Sequence, residues 1–258
     1  TRSPNGTPSL SPSHTSGEVN RYSFPPGSAK KTGPTPLRDC LNDPACSTFF
    51  NGAPDPFAPE PQEVLDSNDS RMLQTTFARG SLWGALDTGV GHGASLRAGI
   101  EWFVVKPSIS DGGSVRAEDS QNGYLSLPHD NLTYPAIGVT AAGRAVMAFT
   151  VVGPNHFPSA GYALLNREGE TGQVHVAKEG LGPSDGFTGY AVEVAPSPIR
   201  PRWGDYGAAA VVGNQVWIAS EYIGQTCDLN TWLTTNFRCG NTRTALANWD
   251  TRISLVTP

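Results

Sequence analysis

The side chains that could carry chemistry sit in a few short motifs of acidic, basic and aromatic residues. Arginine presents a planar fork of donors that fits carboxylates. Carboxylates accept hydrogen bonds from sugar hydroxyls, and aromatic rings have an apolar face on which a sugar can stack. This combination predicts a site for a carbohydrate or a carboxylate-bearing ligand. The predicted ligand-binding residues are Asp69, Arg71, Tyr134, Asp205, Tyr206 and Arg252.

Three of the polar side chains are also candidates for catalysis, namely Asp205, Glu221 and Tyr134. Two carboxyl groups can supply the acid and the base of a glycosidase. The chain has no G-x-S-x-G, H-E-x-x-H, P-loop or EF-hand series. The sequence therefore favours a binding or structural role over catalysis, with a glycan-active hydrolase as the alternative. In the competing interpretation, Arg71 and Asp205 form an ion pair that only holds neighbouring elements together.

These residues need strands to position them, and the sequence predicts strands in a repeating pattern. Three segments each contain an apolar run, a turn at Gly80, Gly143 or Gly213, and a second apolar run. This is the signature of a β-hairpin. Further strand candidates between the hairpins, among them the segment at 189–196, bring each repeat to about four strands, which is typical of a propeller blade. Successive blades bring equivalent positions together around one axis, so the candidate residues of different repeats can share a pocket.

The predicted fold class is all-β, as a β-propeller or partial propeller of four-stranded blades over residues 61–258. A β-sandwich is the alternative, since short alternating strands also suit that fold. Three visible repeats are fewer than the about four to eight blades of a propeller. We therefore expect other protein chains to complete the ring or assembly, or this chain to be part of a longer precursor.

Residues 1–60 differ from the rest of the chain because they are rich in Pro, Ser and Thr. Proline interrupts both helices and central strands, so the composition predicts an irregular extended arm. Its first 17 residues read as a linker. The part at 40–60 is expected to be ordered by a small disulfide loop and by docking of Phe49, Phe50 and Phe57 on the main body.

The four cysteines fall into two pairs that are close in sequence, Cys40 with Cys46 and Cys227 with Cys239. Neither pair has the spacing of a zinc or thioredoxin-like site. Two local disulfides are the simplest interpretation; free thiols or the crossed pairing are the alternatives. Disulfides indicate an oxidising compartment, which predicts an extracellular or cell-surface location. Three N-glycosylation sequons agree with export, at Asn5, Asn68 and Asn131.

Charge and hydropathy argue against several kinds of partner. The net charge is −5 and no basic stripe is visible, which argues against nucleic acid. No stretch approaches the roughly 18 apolar residues of a membrane-spanning helix, and the start at Thr1 is interpreted as that of a processed product. No cofactor is expected, although a structural calcium ion is a candidate at the oxygen-bearing Asp66, Asn68 and Asp69.

The last third of the chain carries three motifs in a fixed order. They are R-W-G-D-Y at 202–206, W-x-x-x-E-Y at 217–222 and N-W-x-T-R-I at 248–253. In this order they resemble the closing blades of a group of large secreted bacterial β-propeller proteins, most of them uncharacterised. The segment at 68–72 is similar to the start of an earlier blade in the same group. The resemblance implies a propeller with blades upstream of residue 60, but it implies little about activity, because propellers host enzymes and binding modules alike. Sialidase-like propellers carry Asp boxes, S-x-D-x-G-x-T-W, and none is present here.

Overall fold

A computed structural model describes residues 13–19, 21–28, 30–62, 64–166, 170–193 and 202–258. Over these residues the chain consists mainly of β-strands in antiparallel sheets, with a few short helices. The prediction of an all-β fold is therefore confirmed. The sequon at Asn5 lies outside the described residues.

The described strands form three sheets, which we call blades 1, 2 and 3. In each sheet the strands follow one another in a simple meander. Blade 1 contains β1 (Thr75–Ala78), β2 (Ser81–Val90), β3 (Arg97–Ile109) and β4 (Val115–Leu125). Blade 2 contains β5 (Asn131–Val139), β6 (Ala145–Val152), β7 (Ser159–Leu165) and β8 (His175–Lys178). Blade 3 contains β9 (Ala208–Val212), β10 (Gln215–Ile223) and β11 (Trp249–Val256).

The first hairpin of every blade turns where the sequence predicted. Gly80, Gly143 and Gly213 all have positive φ values, at 77°, 81° and 62°. Glycine adopts this left-handed conformation without steric cost, so these turns tighten easily. The equivalent turns place the start of each first strand at the same end of its blade.

Blade 2 is packed between the other two blades. On one side, Met147 and Phe149 pack against Trp83 and Trp102 of blade 1 in the largest hydrophobic cluster. The opposite side of blade 2 is lined by small residues such as Ala148, and it packs on a row of blade 3 residues that includes Val216 and Ile218. Stacked meander sheets of this kind are the arrangement of propeller blades, so the described chain is a partial propeller.

Two expectations about strands need correction. Blades 1 and 2 have the predicted four strands, whereas the described part of blade 3 has three. A strand was also predicted at 189–196. Its described part, 189–193, forms turns instead, and the Tyr190 hydroxyl donates to the buried Asp185 carboxylate at 2.7 Å. This inward hydrogen bond holds Tyr190 in the interior, in a hydrophobic cluster with Cys40 and Trp232.

The arm contains two short helices, α1 (Pro36–Leu41) and α2 (Pro44–Asn51). Each begins with proline in the first turn, where its missing N–H costs nothing. With α3 (Leu229–Thr234) they form a small hydrophobic core that we call the disulfide lobe. Both predicted disulfides, Cys40–Cys46 and Cys227–Cys239, lie in this lobe.

Within the disulfide lobe, aromatic rings join α2 of the arm to the segment around α3. Phe50 stacks on Trp232 with ring centroids 5.5 Å apart, and Phe49 contacts Phe237 at 4.9 Å. Phe57 is instead half exposed. The expected docking of phenylalanines on the main body thus involves the two residues of α2. Among the described residues, no helix has the length and apolarity to cross a membrane.

The arm continues across the side of blade 1 that faces away from blade 2. We call residues 21–28 the strap. Ser23 exchanges hydrogen bonds with the Thr88 hydroxyl, and its carbonyl accepts from the Gly89 N–H at 3.1 Å. The carbonyl of Arg21 accepts from the Tyr124 hydroxyl at 2.7 Å. The strap therefore covers part of the outer face of blade 1.

Candidate functional site

A cavity of about 430 Å³ lies on the face of blade 3 that points away from blade 2. Its floor comes from β10, with Ala219 and Glu221, and from Thr251 of β11. The loops at 184–188 and 202–206 supply the walls. A pocket of this size is in the range of small-molecule and sugar sites.

The loop at 202–206 is anchored by its tryptophan. Trp203 is buried, and its indole N–H donates to the Thr150 hydroxyl of blade 2 at 3.0 Å. The next two residues, Gly204 and Asp205, have φ values of 55° and 47°. This left-handed turn brings the N–H of Gly204 onto the carboxyl of Glu221. A Cβ atom at position 204 would lie 3.3 Å from Glu221 Oε2, so a glycine suits this position on steric grounds too.

Glu221 is a partly buried carboxyl group on the cavity floor. Burial raises its pKa to about 7; the hydrogen bond from Gly204 opposes this rise, and the charge of Asp205 adds to it. Within the described part of the chain, Glu221 has no ion-pair partner. Its carboxyl group therefore exchanges a proton near neutral pH while facing the cavity.

The other charged groups around the cavity are paired locally. Arg202 forms an ion pair with Asp205. Arg71 forms one with Asp69 at 2.7 Å and, mainly through this hydrogen bond, lowers the pKa of that carboxyl. In the competing interpretation, Arg71 would have paired with Asp205 across the blades. Instead, each arginine pairs with a carboxylate in its own segment, and Arg71 is 77% exposed.

Tyr134 lies just beneath the cavity. It sits at a β-bulge in β5 with a φ of 59°, and its N–H donates to Asp87 Oδ1 at 2.8 Å. With Gly204, Tyr206 and Glu221 it lines a small adjoining void. Burial, together with nearby carboxylates, raises the pKa of the Tyr134 hydroxyl, which keeps it protonated. Burial also raises the pKa of Asp87.

Aromatic side chains stand at the rim of the cavity. Tyr206 and Trp249 are 70% and 56% exposed, and Phe187 also lines the opening. Exposed aromatic rings beside polar groups are typical of sugar-stacking surfaces. Sequence reasoning did not place Trp249, Phe187 or Arg202 in the site. Trp249 pairs with Ile223 of β10 and lies two residues before Thr251 in β11, so both side chains are on the cavity side of the sheet.

The structure thus brings Tyr134, Asp205, Tyr206 and Glu221 together, but it separates Arg252 from them. Arg252 pairs with Ser220 of β10, so it lies on the opposite face of the sheet from Glu221 and Thr251. Its side chain donates a hydrogen bond to the Ser254 hydroxyl at 3.0 Å. Asp69 and Arg71 lie outside the lining of the cavity.

The two sequons within the described residues differ in accessibility. Asn131 is 4% exposed; its Oδ1 accepts from the Ala98 N–H and its Nδ2 donates to the Val152 carbonyl. The folded chain therefore does not present the Asn131 nitrogen for glycan attachment. The side chain of Asn68 is partly exposed, although its amide nitrogen is buried.

The oxygen-bearing segment at 66–69 was a candidate calcium site. There the Asp66 carboxylate accepts from the Asn68 N–H at 3.2 Å, and Asp69 is occupied by Arg71. Across the described residues, no three His, Cys, Asp or Glu side chains are grouped so that they could hold a metal ion. The carboxylates of Asp66 and Asp69 thus both accept local hydrogen bonds.

Comparisons with known proteins give a likeness only among solved structures. No family model and no curated protein matches the chain. Among solved structures, the chain is similar to the haemagglutinin-neuraminidase ectodomain of parainfluenza virus 5, with 8% sequence identity and a TM-score of 0.41. The match covers 77% of this chain and 44% of that structure, so the chain spans less than half of its length.

Proposed function

We propose that this chain is a secreted, carbohydrate-binding propeller module, with the cavity on blade 3 as its ligand site. The observation that carries the proposal is that one cavity is lined both by exposed aromatic rings and by a carboxyl group that has no ion-pair partner among the described residues. Trp249 and Tyr206 offer faces for stacking, and Glu221 accepts from or donates to ligand hydroxyls. The two disulfides support an oxidising compartment.

The motif order at 202–253 supports placing the chain among secreted propellers of the kind it resembles. Under that proposal the module works within a larger assembly, as the small number of blades also suggests. The ligand would be a neutral or hydroxyl-rich sugar, since the arginines near the cavity are already paired with Asp205 and Asp69.

The test is a binding screen against a glycan array, followed by calorimetry with the best ligand. Trp249→Ala should weaken binding by about tenfold or more, because a sugar-stacking ring contributes on the order of 1 kcal/mol or more. Phe57→Ala is the matched control, since Phe57 is similarly exposed but lies outside the cavity. If no glycan binds, or if both variants bind as the parent does, the proposal fails.

A glycoside hydrolase is the second candidate, and the pKa of Glu221 favours it. A carboxyl group with a pKa of about 7 is suited to act as a general acid, with Asp205 as the second carboxylate. In this case Glu221→Gln should abolish turnover of a chromogenic glycoside while binding of the same sugar persists. Binding without turnover in the parent chain would leave the module as a lectin.

A further inference from the structure

The two interfaces between blades inside the chain follow one rule. The side of blade 1 that carries Trp102 packs on one side of blade 2, and the opposite side of blade 2 packs on the Ile218 side of blade 3. Each blade therefore presents a first face to its predecessor and a second face to its successor. The first face of blade 1 and the second face of blade 3 have no such neighbour among the described blades.

The second face of blade 3 is apolar and open. Strand pairing places Trp217 beside Ala210 and Leu255, and Ala219 beside Ile253. Trp217 is 42% exposed and Ile253 is 61% exposed. We call this surface the bare end. Large contiguous apolar patches of this kind mark interaction sites on natural proteins.

The first face of blade 1 is also apolar, and the strap covers part of it. Phe77 pairs with Leu82 at the hairpin end of the blade, and both are exposed. The strap itself exposes Tyr22 and Phe24. We call this surface the strapped end. Both ends of the stack of blades thus carry exposed aromatic and aliphatic side chains.

From these two ends we infer that two copies of this chain associate head to tail, with the bare end of each against the strapped end of the other. This contact repeats the order of the interfaces within the chain, in which the second face of one blade meets the first face of the next. Three described blades from each copy make six, within the range of about four to eight blades that close a propeller. A two-fold ring of this kind covers all four apolar ends, whereas contact between two bare ends leaves both strapped ends exposed.

The position of the cavity is a second reason to expect another copy of the chain at the bare end. Its floor residues Ala219, Glu221 and Thr251 belong to the same outward rows as Trp217 and Ile253. The cavity therefore opens onto the bare end, and a second copy seated there supplies its missing wall. This part of the inference rests on the proposed function, whereas the association itself does not.

The association is tested by mass measurement of the full chain over a concentration series, with light scattering and native mass spectrometry. We expect a species of twice the mass of the single chain. Trp217→Arg and Phe77→Glu should each shift the protein to monomer, with the dissociation constant raised at least about a hundredfold by a charge in an apolar contact. Leu233→Lys, which changes a similarly exposed residue of α3, is the matched control and should leave the dimer intact.

Mixing the two variants distinguishes the ring from other dimers. The bare end of Phe77→Glu and the strapped end of Trp217→Arg are both intact, so a one-to-one mixture should recover a dimer. The inference is overturned if the parent chain is a monomer at all concentrations, or if the Trp217→Arg variant still forms the dimer. Loss of the dimer in both variants without recovery on mixing also overturns it, and a Phe77→Glu variant that stays dimeric while Trp217→Arg is monomeric overturns it in favour of contact between two bare ends. Glycan binding plays no part in this readout, so failure of the proposed ligand site would not be mistaken for failure of the association.

Discussion

The bare end and the strapped end are the two outer faces of the stack of blades, and the chain covers them to different degrees. On blade 1, Phe103 of the third strand points away from blade 2 and is only 6% exposed. On blade 3, Ile253 of the third strand points outward in the same way and is 61% exposed. The comparison shows that an apolar outward row does not by itself determine burial. Burial depends on whether another part of the chain crosses the face, as the Met72 side chain does over Gly84, the β2 partner of Phe103.

The largest expected difference between the two ends is in stability. Phe103→Ala should lower the free energy of unfolding by about 3 kcal/mol or more, because it empties a covered site. Ile253→Ala should lower it by less than about 1 kcal/mol in the monomer, because little contact is lost. Urea denaturation of both variants at low protein concentration measures this. Equal losses would mean that the two ends are covered to the same degree.

The next effect concerns pH at the bare end. Glu221 has a folded-state pKa of about 7 against an ordinary value of 4.5. The folded state therefore binds this proton more tightly, so stability is fully present below about pH 4.5 and is lost as the pH rises through 7. Glu221→Gln removes this loss, and at pH 8 it should be more stable than the parent by on the order of 2 kcal/mol. At pH 4.5 the two should be similar in thermal or urea denaturation. A parent that loses stability relative to Glu221→Gln as the pH falls would contradict the assigned shift.

A smaller effect should follow from loosening the strap. A Cβ atom on Gly89 would come within 2.5 Å of the Ser23 hydroxyl and 3.3 Å of the Phe24 carbonyl. Gly89→Val should therefore lift the strap and cost about 1 to 3 kcal/mol, as overpacking typically does. Cleavage by trypsin after Arg21 should become faster. Gly80→Asn is the control, since the space around Gly80 is open and asparagine tolerates its positive φ. Unchanged cleavage in Gly89→Val would mean that the strap does not rest on β2.

The smallest effect is expected at Arg71. Its ion pair with Asp69 is exposed, and exposed ion pairs contribute little to stability because water and salt screen them. Arg71→Ala should leave both stability and glycan binding close to those of the parent. A large loss of glycan binding would show that Arg71 reaches the ligand, and it would place the site nearer to Asp69 than the cavity on blade 3.

The repeat of hairpins could be predicted because its signals are local. A glycine at each turn and an apolar run on either side suffice to identify β1–β2, β5–β6 and β9–β10. The disulfides were equally accessible, since each joins cysteines of one short segment. The helices α1 and α2 were not expected, because the many prolines obscured two segments in which proline occupies the first turn of a helix.

The site was predicted in part. Tyr134, Asp205 and Tyr206 lie at equivalent positions, near the start of the first strand of their blades. The repeat alone was therefore enough to predict that they lie close together. Trp249 and Phe187 depended on long-range packing of loops, for which the sequence has no local signal. Arg252 is not part of the cavity lining because it faces the other side of β11 from Thr251, and strand phase is hard to fix from sequence when both faces carry apolar residues.

Blade 2 is buried on both sides, and this determines how the molecule opens. All residues of β5 and β6 are buried, whereas β11 is exposed along most of its length. Amide protons of β5 and β6 can therefore reach solvent only when the neighbouring blades separate, so their exchange with deuterium should report global unfolding. Those of β11 should exchange by local fraying, far sooner. Hydrogen exchange should thus be slow in blade 2 and fast in β11. The lifetime of the folded state is governed by contacts that are buried between the blades.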